Sequence, residues 1–234
     1  MDWRYNLRLF KEIFFPRHCA VCKTIIDEGL LCSSCRKNYL LHRVKVYGAN
    51  HSSWEKLIKI GQPLVAEDIY DRTQFLYKYD GVYKESLHGL KFEGKSELLP
   101  MITEEVELAL QEDIKALQRH YDIIASIPTS VERKQQRGYD VPLEIFNCLN
   151  IQELLERVKT TAPLYTMDAL ERQQELEGCF AIKVGQNVQG KRILLCDDIY
   201  TTGSTMQEAA QVLLKAGAQA IGVLAFCASK DNWN

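Results

Sequence analysis

The run Ile193-Leu194-Leu195-Cys196-Asp197-Asp198-Ile199-Tyr200-Thr201-Thr202-Gly203-Ser204-Thr205 constrains the fold more than any other part of this chain. Apolar residues end at two carboxylates, a short spacer follows, and hydroxyl residues then surround a glycine. The apolar part reads as a buried parallel strand, and Ser204 to Ala216 as the helix behind it. Ala220 to Ala225 supplies a further strand, so the order strand, loop, helix, strand is a βαβ unit in a parallel sheet. Ligands bind such sheets at the carboxyl ends of the strands. Here Thr201, Thr202, Gly203, Ser204 and Thr205 wrap a helix N-terminus, where free N–H groups and the helix dipole favour a phosphate. No lysine follows the glycine, which excludes a Walker loop.

Asp197 and Asp198 would repel a phosphate placed against them. They fit vicinal hydroxyls or a divalent cation set slightly apart from it, and a ribose 5-phosphate meets that need. Helix capping by one acid and one hydroxyl is the plain alternative, but it leaves the second acid and the other hydroxyls unexplained. The segment resembles the phosphoribosyl pyrophosphate (PRPP) motif of type I phosphoribosyltransferases: apolar residues, two acids, a spacer, then Thr-Gly-Ser-Thr.

Upstream, Ile123 to Ile127 reads as another buried strand, stopped by Pro128. Thr129 and Ser130 follow it and are candidates for a pyrophosphate loop. Arg133 and Arg137 lie one helical turn apart and can face one anion; a solvated helix face is their alternative. Arg157 and Lys159 open a polar stretch, 157 to 179, that reads as a long loop able to close over a leaving group. Further expectations are a helix over residues 4–15, with Tyr5, Leu9, Ile13 and Phe14 near one face, stopped by Pro16, a strand from Phe75 to Tyr79, and a helix from Val82 to Leu90. A single long helix is expected from Glu97 to Leu117, and helical spacing from Leu143 to Leu155.

The cysteines divide into two kinds. Cys148, Cys179, Cys196 and Cys227 are scattered among apolar neighbours and read as small core residues. Cys19-x2-Cys22-x9-Cys32-x2-Cys35 has the spacing of a tetrahedral Zn²⁺ site. Disulfides and redox pairs are the alternatives, and both fit a reducing compartment poorly. The charge is uneven although the formal net charge is −2. Arg4, Arg8, Lys11, Arg17, Lys23, Arg36, Lys37, Arg43 and Lys45 face only Asp2, Glu12, Asp27 and Glu28 in the N-terminal part. That bias permits an anionic partner there. No apolar run approaches the roughly 20 residues of a membrane span, and the interrupted N-terminal segment does not read as a signal peptide. The expected location is the cytoplasm.

A four-cysteine module ahead of a PRPP motif resembles the ComF/GntX family of competence-associated, phosphoribosyltransferase-like proteins. The likeness extends to Phe75 to Gly81, Leu90-Lys91-Phe92, Ile127-Pro128 and Arg137-Gly138-Tyr139. It continues through Arg157, Lys159, Thr161, Pro163, Arg172, Gly178 and Phe180. The chain departs from the family where Gly138-Tyr139-Asp140-Val141 replaces Gly-Phe-Asn-Gln, where Leu164 replaces Gln, and where Glu175 replaces Asn. The resemblance implies an α/β, type I phosphoribosyltransferase-like (Rossmann-like) parallel sheet with a small N-terminal zinc module. The expected divisions are a helix and cysteine module at 1–45, a connecting region at 46–72 and the phosphoribosyltransferase-like domain at 73–234. The resemblance also implies PRPP with Mg²⁺ as ligand and a part in DNA uptake, at the periphery of the uptake machinery. Single-stranded DNA and a helicase-like ATPase are then the expected partners. Two activities stay open: pentosyl transfer from PRPP, or a non-catalytic module that senses PRPP or a nucleotide.

Overall fold

The computed structural model describes residues 16–39, 73–159 and 175–229. The expected helix over 4–15 and the connecting region at 46–72 lie outside these. Near the N-terminus β1 (Arg17–His18) pairs antiparallel with β2 (Ile25–Ile26), and α1 (Ser33–Tyr39) follows. The central layer is built from β3 (Thr73–Lys78), β4 (Ile123–Ser126), and two strands far along the chain, Arg192–Tyr200 and Ala220–Ala228. Between β3 and β4 run α2 (Gly81–Phe92), α3 (Leu98–Leu110) and α4 (Ile114–His120). After β4 come α5 (Val131–Arg137), α6 (Val141–Ile145) and a short antiparallel pair, β5 (Leu155–Arg157) with β6 (Phe180–Ile182). Arg192–Tyr200 is β7, Ser204–Lys215 is α7 and Ala220–Ala228 is β8.

The sheet order is β3-β8-β7-β4, with every neighbouring pair parallel. β8 lies between two strands and is buried along its whole length, as its unbroken apolar sequence requires. Strand alternation sends Ile193 and Leu195 to one face with Phe75, Val223 and Leu213 of α7. Leu194 and Cys196 go to the other face with Tyr77, Phe226 and Leu87 of α2. Of the scattered cysteines, Cys179, Cys196 and Cys227 are buried in these layers and Cys148 is half-buried.

Three elements differ from the sequence reading. The long helix divides into α3 and α4 around Gln111–Asp113. Ile102, Val106 and Leu110 are buried on α3, whereas α4 buries no residue fully; the turn re-aims the second segment once the core face is complete. The spacing from Leu143 to Leu155 yields only α6 and one 3₁₀ turn, because Asn150 takes a left-handed conformation (φ 57°) and the chain becomes extended. Leu154 and Leu155 are still buried, but from extended chain, since apolar spacing alone does not distinguish these cases. The proposed loop from 157 to 179 has its two ends paired as strands, Arg157 opposite Phe180, and 160–174 lie outside the described residues.

The cysteine module is joined to the sheet. Cys19, Leu30 and Leu31 share a core with Tyr77, Tyr83 and Phe226. At the join Glu105 of α3 is fully buried and accepts from the Leu30 and Leu31 amides at 2.8 and 3.1 Å. Arg36 grips it through Nε and Nη2 at 2.8 and 3.0 Å, and the Tyr77 and Tyr83 hydroxyls donate at 3.1 and 3.2 Å. Burial, with the nearby carboxylate, pushes both phenols well above their usual range, so they remain protonated donors. Gly29 is left-handed (φ 70°), and a Cβ there would run into Glu105. The Arg36 expected on a basic outer face is therefore turned inward, while Lys37 is exposed.

Candidate functional site

β7 continues four residues beyond the apolar run, from Asp197 to Tyr200, so both acids stand on the strand rather than in a loop. Parallel pairing with β8 carries that extension: Asp197 is opposite Ala225 and Tyr200 opposite Ala228. Thr201 to Gly203 then turn the chain into α7. Gly203 is left-handed (φ 77°), and a Cβ on it would collide with the Tyr200 ring. The Thr202 and Ser204 hydroxyls lie 2.9 Å apart at the start of the helix.

These residues border a cavity of about 740 Å³. Asp197, Asp198, Thr201, Thr202, Ser204 and Thr205 line it, together with Thr129, Arg133, Arg137 and Arg157. Nominated separately along the sequence, they converge here from β7, α7, α5, β5 and the turn after β4. Three nominated residues do not line the cavity. Gly203 shapes the turn, and the Ser130 hydroxyl caps α5 by accepting from the Arg133 amide at 3.4 Å. Lys159 donates to the Glu175 carbonyl at 3.0 Å.

Asp198 is 6% exposed, and its Oδ1 is bound by Lys91 Nζ at 2.6 Å. Asp197 Oδ1 accepts the Asp198 amide at 2.8 Å. Burial and the adjacent Asp198 push the Asp197 carboxyl well up. Arg137 donates through Nε to the Lys91 carbonyl at 2.9 Å, and its guanidinium lies 5.8 Å from the Phe92 ring centre. Arg157 lies 5.5 Å from the Phe180 ring centre and has a buried Nε with no hydrogen-bond partner. An unsatisfied buried donor beside a cavity is a position for a bound acceptor.

Sequence reasoning missed two residues of this site. Lys91 lies 107 positions from Asp198, and in the last turn of a helix it reads as a complement to the dipole. Asp140, noted only as a departure from the family pattern, is 3% exposed and accepts from the Thr129 amide at 3.0 Å and hydroxyl at 3.2 Å. It fixes the turn after β4 from beneath.

At the other end, the sulfurs of Cys19, Cys22, Cys32 and Cys35 all lie within 4.8 Å of one another, and those of Cys22 and Cys32 are 3.6 Å apart. Tetrahedral Zn–S bonds of about 2.3 Å put sulfurs roughly 3.8 Å apart, so the set fits one such ion. The Thr24 hydroxyl and amide, then the neighbouring sulfurs, draw the Cys22 thiol down to about 6, which favours the ligating thiolate. His18 is exposed beside the set.

A parallel sheet whose strand-end acids and hydroxyl-rich turn into a helix share a cavity with arginines defines a phosphoribosyltransferase-like protein. Residues 149–233 match the phosphoribosyl transferase domain family. The chain is 32% identical to the DNA utilization protein YhgH of Salmonella typhimurium, over 89% of each chain. It is 31% identical to YhgH of Escherichia coli O157:H7, over 91% of this chain and 97% of that one. It is 26% identical to the competence protein ComFC of Bacillus subtilis, over 86% of this chain and 80% of that one. The chain belongs to the ComF family. Among the described residues no helix is long and apolar enough to cross a membrane.

Proposed function

We propose that this chain binds PRPP in the cavity at the end of β7 and acts in the use of incoming DNA. The observation that carries this is the convergence of two strand-end acids, a hydroxyl-rich helix N-terminus and three arginines on one cavity. The 5-phosphate fits the Thr201–Thr205 turn, where the α7 dipole adds to the free N–H groups. The ribose hydroxyls fit Asp197 and Asp198. The pyrophosphate fits the Thr129 turn, Arg133, Arg137 and Arg157, whose Nε is buried without a partner. In a transfer reaction an acceptor attacks the anomeric carbon, and the bonding pair leaves with pyrophosphate. The arginines neutralise the charge that develops on it.

Asp198 Oδ1 already holds the Lys91 ammonium, so the acid pair enters the site with one oxygen committed to a cation of the chain itself. A Mg²⁺ ion accompanying PRPP would offset the charge of the leaving pyrophosphate. The four sulfurs are assigned one structural Zn²⁺.

The relatives' names, "DNA utilization protein" and "Competence protein", support a part in DNA use and competence; a cytoplasmic place at the periphery of DNA uptake is proposed with it. Single-stranded DNA and a helicase-like ATPase are the proposed partners of the cysteine module. With Arg36 held by Glu105, Lys23 and Lys37 are exposed basic groups among the described residues of that module.

Calorimetry with PRPP and Mg²⁺ tests the reading, followed by pyrophosphate release across nucleobases and single-stranded DNA. Asp197→Ala with Asp198→Ala should lose at least about tenfold in affinity, from roughly 1.5–3 kcal/mol per charged contact. The double variant should still unfold cooperatively. Equal affinity in variant and parent refutes the site; binding without release selects the sensing module over the enzyme.

A further inference from the structure

Lys91 and Asp198 form an ion pair with side chains only 17% and 9% exposed. Removing two charges from water to this degree costs about as much as their attraction returns, so stability alone gives little reason to keep the pair. Its surroundings nevertheless hold it firmly. Lys91 stands in the last turn of α2, where the Tyr139 hydroxyl donates to the Leu90 carbonyl at 3.3 Å and Arg137 to that of Lys91 at 2.9 Å. The lysine head thus reaches the acid pair from a backbone anchored by two donors, both borne by the segment at the end of α5. An ammonium occupies one oxygen of the acid pair at the point where a ribose ester would enter.

We propose that Lys91 is the built-in counter-ion of the acid pair. It supplies at the ribose end the positive charge that a divalent cation would otherwise bring, so that a polyanionic ribose 5-phosphate ester binds without divalent metal. This rests on the PRPP reading above. Without Lys91, the ester would enter beside carboxylates that have lost their paired cation, and an added cation would relieve the repulsion.

The test is calorimetry with PRPP in EDTA and in Mg²⁺, on the parent, Lys91→Met and Lys91→Arg, each checked for a cooperative melt. Removing Mg²⁺ should change the parent's affinity by less than about tenfold. Lys91→Met should lose about 10- to 100-fold in EDTA, the range of a charged hydrogen bond, but less than about threefold in Mg²⁺. Lys91→Arg should recover most of the EDTA affinity, which a purely structural role would not require. A parent that binds PRPP only with Mg²⁺ overturns this proposal and leaves the PRPP site standing. So does an equal loss in both buffers for Lys91→Met, or a failure of Lys91→Arg to rescue. No PRPP binding in either buffer removes both readings together.

Discussion

Replacing Glu105 with Gln should destabilise the whole described fold rather than the cysteine module alone. The side chain keeps its shape, but one accepting oxygen becomes an N–H₂ group. Glu105 Oε1 faces the Leu30 and Leu31 amides and Arg36 Nη2, while Oε2 faces Arg36 Nε and two phenols, so either orientation turns donors against donors. Arg36 is left without its counter-charge in a site where Glu105 has no exposure. Removing one partner of a buried pair costs about 3–5 kcal/mol. For a chain of this size each kcal/mol moves the midpoint by about 2–4 °C, so Tm should fall by about 6–20 °C. Differential scanning calorimetry of the metal-loaded protein measures it, together with Arg36→Met and the double variant. The double variant should lose less than the sum of the singles, since the two groups share one network. A fall below about 2 °C for Glu105→Gln, or strict additivity, would refute the argument.

Two further outcomes follow from the same interactions. Burial and Asp198 raise the Asp197 carboxyl, so the folded chain holds that proton more tightly than the unfolded chain does. The resulting stability is fully present below the unfolded value, near about 3.9, and is lost as pH rises through the folded one. Asp197→Asn should therefore melt above the parent near about pH 8 and converge with it towards about pH 4; a gap independent of pH in scanning fluorimetry would contradict this. Cys32→Ser should lower the metal content from about one Zn²⁺ per chain to near zero and lower Tm. Elemental analysis beside a melt checks both, and a metal-free parent with unchanged stability would remove the zinc assignment.

How far the sequence could be read depends on how locally each feature is encoded. The acids, the glycine and the hydroxyls are contiguous, and so is the apolar run of β8, so the βαβ unit and its ligand end were legible. The length of β7 was not, because carboxylates are poor strand formers and their pairing with β8 is a tertiary event. The same reason explains Leu143 to Leu155. Burial spaced its apolar residues, but Asn150 and the bridge from Gln152 to Ala125 decided the backbone. Arg36 read as a surface cation because its partner lies 69 positions away.

Two of the buried carboxylates, Glu105 and Asp198, show how structural and functional charges differ. Each is answered by one cation: Glu105 by Arg36, and Asp198 by Lys91. Glu105 also receives two amides and two phenols, so both oxygens are saturated and the site is closed; any ligand would have to break a complete network. Among the described residues the Asp198 carboxylate receives Lys91 alone, next to a cavity of about 740 Å³. A buried charge held by a single donor is costly in the free protein and gains most from a ligand that brings more donors. The degree of saturation, rather than burial or the presence of an ion pair, thus marks Glu105 as a joint and Asp198 as a binding group.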